Sequence, residues 1–191
     1  MRIITGTAKG RKLKSVEGLD TRPTSDRTKE SIFNIIQFDI EGRHVLDLFA
    51  GTGQMGLEAL SRGALTAEFV DIRPECVKVI KENIEKTGFI DRTKVMQTDF
   101  ENYLKRARPR SFGLIFLDPP YGEGFMERAL ELIASRDLLC EGGLILCEGV
   151  RTDEVPVLEK PYRQGREYIY GKSRIQLYIK STLDGTEDDE L

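Results

Sequence analysis

The sequence predicts an α/β fold: a mostly parallel sheet with helices on both faces, an antiparallel C-terminal hairpin, and an N-terminal extension made of a β-hairpin and a helix. Three observations predict it. From Arg43 onward short β-rich runs alternate with stretches of helical spacing, the pattern of a parallel sheet. Those runs are almost continuously apolar, as strands covered on both faces are. The last two, Glu167 to Tyr170 and Arg174 to Lys180, are separated only by Gly171-Lys-Ser173, which reads as a terminal hairpin and hence an antiparallel pair.

The elements follow in order. Residues 2–5 and 11–16 are short strand-like runs around Gly6-Thr-Ala-Lys-Gly10, a hairpin with basic residues on its exposed face. Pro23 biases Arg22 towards extended geometry. Thr24 or Ser25 can then cap a helix whose apolar stripe is Ile32, Phe33, Ile35 and Ile36. His44 to Phe49 is the first strand of the sheet, Gln54 to Arg62 a helix ended by Gly63, and Thr66 to Asp71 the second strand. Pro74 opens a helix that stops at Gly88, and Thr93 to Gln97 is a third strand. Phe112 to Leu117 is a fourth, Phe125 to Ser135 is helical, and Gly143 to Cys147 is a fifth. The organisation expected is an extension over 1–39, a main domain over 40–181 and an acidic, disordered tail over 182–191.

Composition removes several chemistries. No apolar run approaches the ~20 residues needed to span a bilayer, and no signal-peptide core is present; a cytoplasmic protein without membrane contact is expected. Cys76, Cys140 and Cys147 have no metal or redox spacing. His44 is the only histidine, so neither a metal site nor histidine catalysis is expected. The net charge is −3, but residues 1–29 hold eight basic and three acidic side chains, and the last eight residues hold five acidic ones. The basic segment, with Arg11 and Lys12 in it, can meet phosphates; its plain alternative is a solvated surface.

Gly51-x-Gly53-x-x-Gly56 satisfies the dinucleotide-binding spacing, and Asp71, twenty residues after Gly51, stands where an acid would hold a ribose. Asp47 argues for a different ligand. A carboxylate in the strand before the loop opposes a pyrophosphate, whereas S-adenosylmethionine carries positive ammonium and sulfonium centres and no phosphate. Asp71 then accepts from the ribose hydroxyls, Asp99 from the adenine amino group, and Ile72 and Phe100 sandwich the ring. An acid such as Asp99 at a strand end also serves as a turn former.

Asp118-Pro-Pro-Tyr121 follows the fourth strand directly. Prolines there end a strand, but an Asp carboxylate and the Pro119 carbonyl also present acceptors only, because neither Pro119 nor Pro120 has an amide donor. Two acceptors facing an exocyclic amine would draw its hydrogens out of the ring plane and localise its lone pair towards a methyl group, with Tyr121 stacked on the base. No nucleophile–base pair suggests a covalent intermediate.

Asp47-x-Phe49-x-Gly51-x-Gly53 with Asp118-Pro-Pro-Tyr121 resembles the amino-methylating class of S-adenosylmethionine-dependent enzymes. Arg2-Ile-Ile-x-Gly6, Gly10-Arg-Lys-Leu13, Arg22-Pro-Thr-x-Asp-Arg-x-Lys-Glu-x-x-Phe-Asn34 and Leu57-Glu-Ala-Leu-Ser-Arg-Gly63 make the chain similar to the RsmD-type ribosomal RNA guanine-N2 methyltransferases from Arg2 to Lys180. The resemblance implies a Rossmann-like methyltransferase fold with a seven-stranded sheet. It also implies a guanine of 16S ribosomal RNA within the small ribosomal subunit as target, and a place for Arg22, Thr24 and Arg27 beside the cleft. A monomer is expected. The alternatives left open are an adenine-N6 methyltransferase, a nucleotide-dependent oxidoreductase and a non-catalytic ribosome-assembly factor.

Overall fold

The computed structural model describes residues 1–16, 26–120, 122–152 and 154–182, with the side chains of Asp26 and Arg27 left out. Helix α1 (Asp26–Ile35) is followed by β1 (His44–Leu48), α2 (Gln54–Ser61), β2 (Thr66–Asp71), α3 (Pro74–Thr87), a 3-10 turn (Ile90–Arg92), β3 (Thr93–Gln97) and α4 (Phe100–Arg106). Then come β4 (Phe112–Leu117), α5 (Phe125–Ser135), β5 (Leu139–Val150), β6 (Tyr162–Tyr170) and β7 (Ser173–Lys180). The seven strands form one mixed sheet in the order β3-β2-β1-β4-β5-β7-β6. The chain divides into two compact units, residues 1–100 and 101–191.

In the first unit β1 pairs in parallel with β2 and β2 with β3. α2 packs on β1 and β2, and α3 on β2 and β3. Val45, Leu46, Leu48, Phe69, Leu57 and Ile80 fill the core between them. α3 ends as its sequence demands: Pro74 stands in the first turn, and Gly88 takes the left-handed conformation at φ 79°.

The N-terminal segment forms a short hairpin. Arg2 and Lys12 make an antiparallel bridge, flanked by Ile3 N donating to Arg11 O at 3.0 Å and Leu13 N to Met1 O at 3.2 Å. Other amides of the segment turn to α2. Ile4 N and Thr5 N donate to the Glu58 carboxylate at 2.8 and 3.0 Å, Thr7 N to Ser61 O at 2.8 Å, and Ala8 N to Ser61 Oγ at 3.0 Å. Gly6 makes this approach possible, since a Cβ there would lie 1.7 Å from Ser61 O. Lys29 of α1 and Glu58 are both fully buried and 3.5 Å apart, and the Lys29 ammonium also donates to Arg2 O at 2.5 Å. The segment is therefore clamped onto α2 by a buried carboxylate as well as paired across its own bridge.

In the second unit β4 is buried at every position and parallel to β5. β5 pairs antiparallel with β7, and β7 with β6, forming the expected C-terminal hairpin. Two strands are longer than their apolar cores. β5 begins at Leu139, through the left-handed Gly142 and a register shift between Phe112 and Leu114. β6 begins at Tyr162, with a shift between Gln164 and Glu167 where Gly165 sits. Such bulges carry glycine and break the period-two pattern from which a strand is read. No helix among the described residues is long and apolar enough to cross a membrane.

Candidate functional site

In the first unit three loops leave the carboxyl ends of β1, β2 and β3, where open α/β sheets bind ligands. β1 stops at Leu48 because Phe49 is left-handed, with φ 67°, a strained setting for an aromatic residue. The turn throws the chain into the glycine loop and sets the Phe49 ring against Phe100, 5.0 Å between centroids. The glycines then separate by role. Gly51 is left-handed at φ 57° and a Cβ there would meet nothing within 4 Å, so its bare face is open to a ligand. Gly56 instead serves packing, since a Cβ would lie 2.4 Å from Phe69 Cε1.

Asp47 does not face open space. It is 4% exposed, and its Oδ2 accepts from Gly56 N at 2.9 Å, tying β1 to the start of α2. Burial pushes its carboxyl up to about 7; the Gly56 hydrogen bond opposes this and the Asp71 charge adds to it. Burial thus disfavours a full negative charge at Asp47, which weakens its repulsion of a pyrophosphate. Asp71 is the acid set at the loop. Its Oδ2 accepts from Gly51 N at 2.9 Å and its Oδ1 from Arg73 N at 2.9 Å, with Arg73 Nε at 3.3 Å. Arg73 Nη2 also lies 3.5 Å from Oδ2, so both oxygens are engaged twice; the two guanidinium contacts are the long ones, and a ligand hydroxyl would take their place.

Ile72, just after β2, is 63% exposed, whereas Phe100 is buried against Phe49. Asp99 is half-buried and immediately precedes α4, the place of a helix cap as well as that of a ligand acceptor. Arg11 and Lys12 are exposed, and Arg11 Nη1 donates to Lys86 O, in the last turn of α3, at 2.5 Å. Arg22, Thr24 and the side chain of Arg27 lie outside the described residues.

Asn83 of α3 was not foreseen. Fully buried, its Oδ1 accepts from Lys14 N at 2.7 Å and its Nδ2 donates to Lys14 O at 3.1 Å and Thr52 O at 3.0 Å. One amide thus joins the basic N-terminal segment to the glycine loop. A polar residue at an apolar position of the helical stripe is the sequence trace of this, together with Glu58, the one charge in α2.

In the second unit the all-buried β4 ends in Asp118, which is exposed, followed by the buried Pro119 and the exposed Pro120; Tyr121 lies outside the described residues. Pro119 and Pro120 border a cavity of about 320 Å³ whose lining also includes Gly149, Arg174, Gln176 and Tyr178. Cys147 also lines it; burial pushes this thiol well above its usual range, so it stays protonated. The lone His44 stands exposed at the start of β1, its Nδ1 2.7 Å from Thr66 Oγ1, in keeping with a structural place.

The chain is 41% identical over 182 residues to the YlbH protein of Bacillus subtilis, a match covering 94% of this chain and 99% of the relative. It is 29% identical over 192 residues to Ribosomal RNA small subunit methyltransferase D of Escherichia coli strain K12, covering 99% and 94%. The solved structure of yhhF from Escherichia coli superposes with a TM-score of 0.85 at 30% identity, covering 95% of this chain and 98% of that one. The model of the family described as Conserved hypothetical protein 95 matches residues 1–179. The chain belongs to this family, the RsmD-type ribosomal RNA methyltransferases, with their Rossmann-like methyltransferase fold.

Proposed function

We propose that this protein transfers a methyl group from S-adenosylmethionine to the exocyclic N2 amine of a guanine in 16S ribosomal RNA, acting on the small ribosomal subunit. The observation that carries the reading is the acceptor-only Asp118-Pro119-Pro120 loop at the end of a fully buried strand, in a chain of this family. The donor fits the first unit: Gly51 offers bare backbone to a ligand, Asp71 is set at the loop with two long guanidinium contacts that a ligand can displace, and Ile72 is exposed beside it. Bound there, S-adenosylmethionine supplies an electrophilic methyl on a positively charged sulfur.

Asp71 holds the ribose hydroxyls, Asp99 and the Ile72 and Phe100 side chains hold the adenine, and Asp47 keeps the loop in register through Gly56. Phe49 fixes Phe100 by packing. Asp118 and the Pro119 carbonyl accept the two amine hydrogens and turn the nitrogen lone pair towards the methyl carbon, while Tyr121 stacks on the base. The carbon–sulfur bond breaks as the carbon–nitrogen bond forms, leaving a neutral thioether and a transiently cationic amine. Asp118, exposed to solvent, stabilises that charge, and the extra proton leaves to water directly or through it. Catalysis thus comes from positioning and charge placement. Arg11 and Lys12, with Arg22, Thr24 and Arg27, meet the RNA backbone, a contact that salt weakens.

The test uses small-subunit particles from a strain lacking this protein, with labelled methyl donor and the purified chain. N2-methylguanosine is expected after nuclease digestion and mass analysis, and Asp118→Ala should abolish it. Labelled N6-methyladenosine would establish the adenine alternative. Absence of transfer, together with tight NAD(H) binding by calorimetry, would sink the methyltransferase reading.

A further inference from the structure

We infer that the cavity bordered by Pro119 and Pro120, next in sequence to Asp118, seats the target guanine, that Arg174 reads its O6 and N7 edge, and that Gly149 leaves room for the ring. This rests on the guanine-N2 reading above. An acceptor loop recognises an amine, and adenine carries one as well as guanine, so the choice of base needs a second group. The cavity supplies one. Its volume of about 320 Å³ lies at the small end of ligand sites, as a pocket for a single flipped base requires.

Register decides which side chains can act there. Across the β5–β7 pair Cys147 stands opposite Gln176 and Gly149 opposite Arg174, so by the two-residue period Arg174, Gln176 and Tyr178 share one face. All three line the cavity. Arg174 is 9% exposed, and its guanidinium is held at 3.4 Å from Glu167 Oε1 and at 3.4 Å from Glu154 O. Both contacts are near the outer limit of hydrogen bonding, which leaves the planar fork with donor capacity towards the cavity. Guanine offers O6 and N7 as paired acceptors that such a fork matches, whereas adenine puts an amino donor in place of O6.

Gly149 is the second observation. Glycine weakens a strand and usually has a reason to be in one. Here neither backbone conformation nor crowding provides it: Gly149 lies outside the left-handed region, and a Cβ would meet nothing within 4 Å. Its place directly opposite Arg174, on the cavity wall, is explained by a ligand that needs the space.

The experiment compares Arg174→Gln, Arg174→Lys, Gly149→Leu and Glu167→Gln on particles lacking the modification, reading N2-methylguanosine formation and, separately, S-adenosylmethionine affinity by calorimetry. Arg174→Gln should lower kcat/KM about 5- to 150-fold, the worth of one bidentate pair to guanine, and Arg174→Lys should recover part of it. Gly149→Leu should abolish transfer, with donor affinity unchanged in both. Glu167→Gln removes the ion-pair partner but keeps the guanidinium, and should stay within about twofold of wild type. Equal losses in Arg174→Gln and Glu167→Gln would make Arg174 a strut of the hairpin and overturn the inference. So would an active Gly149→Leu, or an unimpaired Arg174→Gln in a protein that does make N2-methylguanosine. Wild-type protein that methylates adenine instead overturns the guanine reading itself.

Discussion

Replacing Asp47 by Asn tests whether β1 carries a carboxyl that titrates near neutrality. The amide oxygen can still accept from Gly56 N, now bonded to Asp47 Oδ2 at 2.9 Å, so the link to α2 survives while ionisation is lost. Burial raises the folded-state pKa from 3.8 to about 7. The sign follows from linkage: a raised carboxyl binds its proton more tightly in the folded state, so its stabilising effect is complete below about pH 4 and is lost as pH rises through 7. Between pH 5 and pH 8 the stability of wild type relative to Asp47→Asn should fall by about 2.5 kcal/mol, two units of proton affinity at about 1.4 kcal/mol each, trimmed at the ends of the window. Any fixed cost of seating the amide cancels in that difference. Urea unfolding followed by far-ultraviolet circular dichroism suits a chain without tryptophan. A wild-type-minus-variant difference that stays constant from pH 5 to pH 8 would refute the reasoning and place a fully ionised Asp47 in the folded protein.

Other outcomes follow from the same geometry. Glu58→Ala leaves the Lys29 ammonium buried without its carboxylate and removes the acceptor of Ile4 N and Thr5 N, so unfolding free energy should drop by about 3–5 kcal/mol, with earlier proteolytic release of residues 1–16. Asn83→Ala strands the Lys14 and Thr52 groups and should cost about 1–3 kcal/mol in urea unfolding. Gly56→Ala drives a methyl to 2.4 Å from Phe69 and should destabilise by about 1–3 kcal/mol. Gly51→Ala meets only backbone strain of about 1–2 kcal/mol, yet calorimetry should show a larger proportional loss of S-adenosylmethionine affinity than with Gly56→Ala.

The sheet was legible where a single rule governs a segment. α3 carries a proline at its start, a glycine at its end and an apolar stripe between, and its bounds were read directly. β4 is apolar throughout because both its faces are covered, and its end is marked by Asp118-Pro119. What stayed hidden depends on partners distant in sequence. The N-terminal hairpin is short, and the groups that fix it to α2, Glu58 and Ser61, lie more than fifty residues away. Asp47 was correctly singled out as unusual in an apolar strand, but the sequence could not tell a carboxylate facing a ligand from one folded back on Gly56. Arg174 opens a strand of the terminal hairpin and nothing in the sequence singles it out; the register against Gly149 puts it on a cavity wall.

The buried clamp divides the basic residues of the N-terminal segment into two electrostatic classes. Lys29 and Glu58 are sealed from solvent, so dissolved ions hardly screen their attraction. Arg11 and Lys12 stand in water, and their attraction for a polyanion weakens steeply as salt rises. If Arg11 and Lys12 meet RNA as proposed, raising the ionic strength would release it while the arm stays attached. A salt titration of the intact protein would then read recognition apart from unfolding of the surface that performs it.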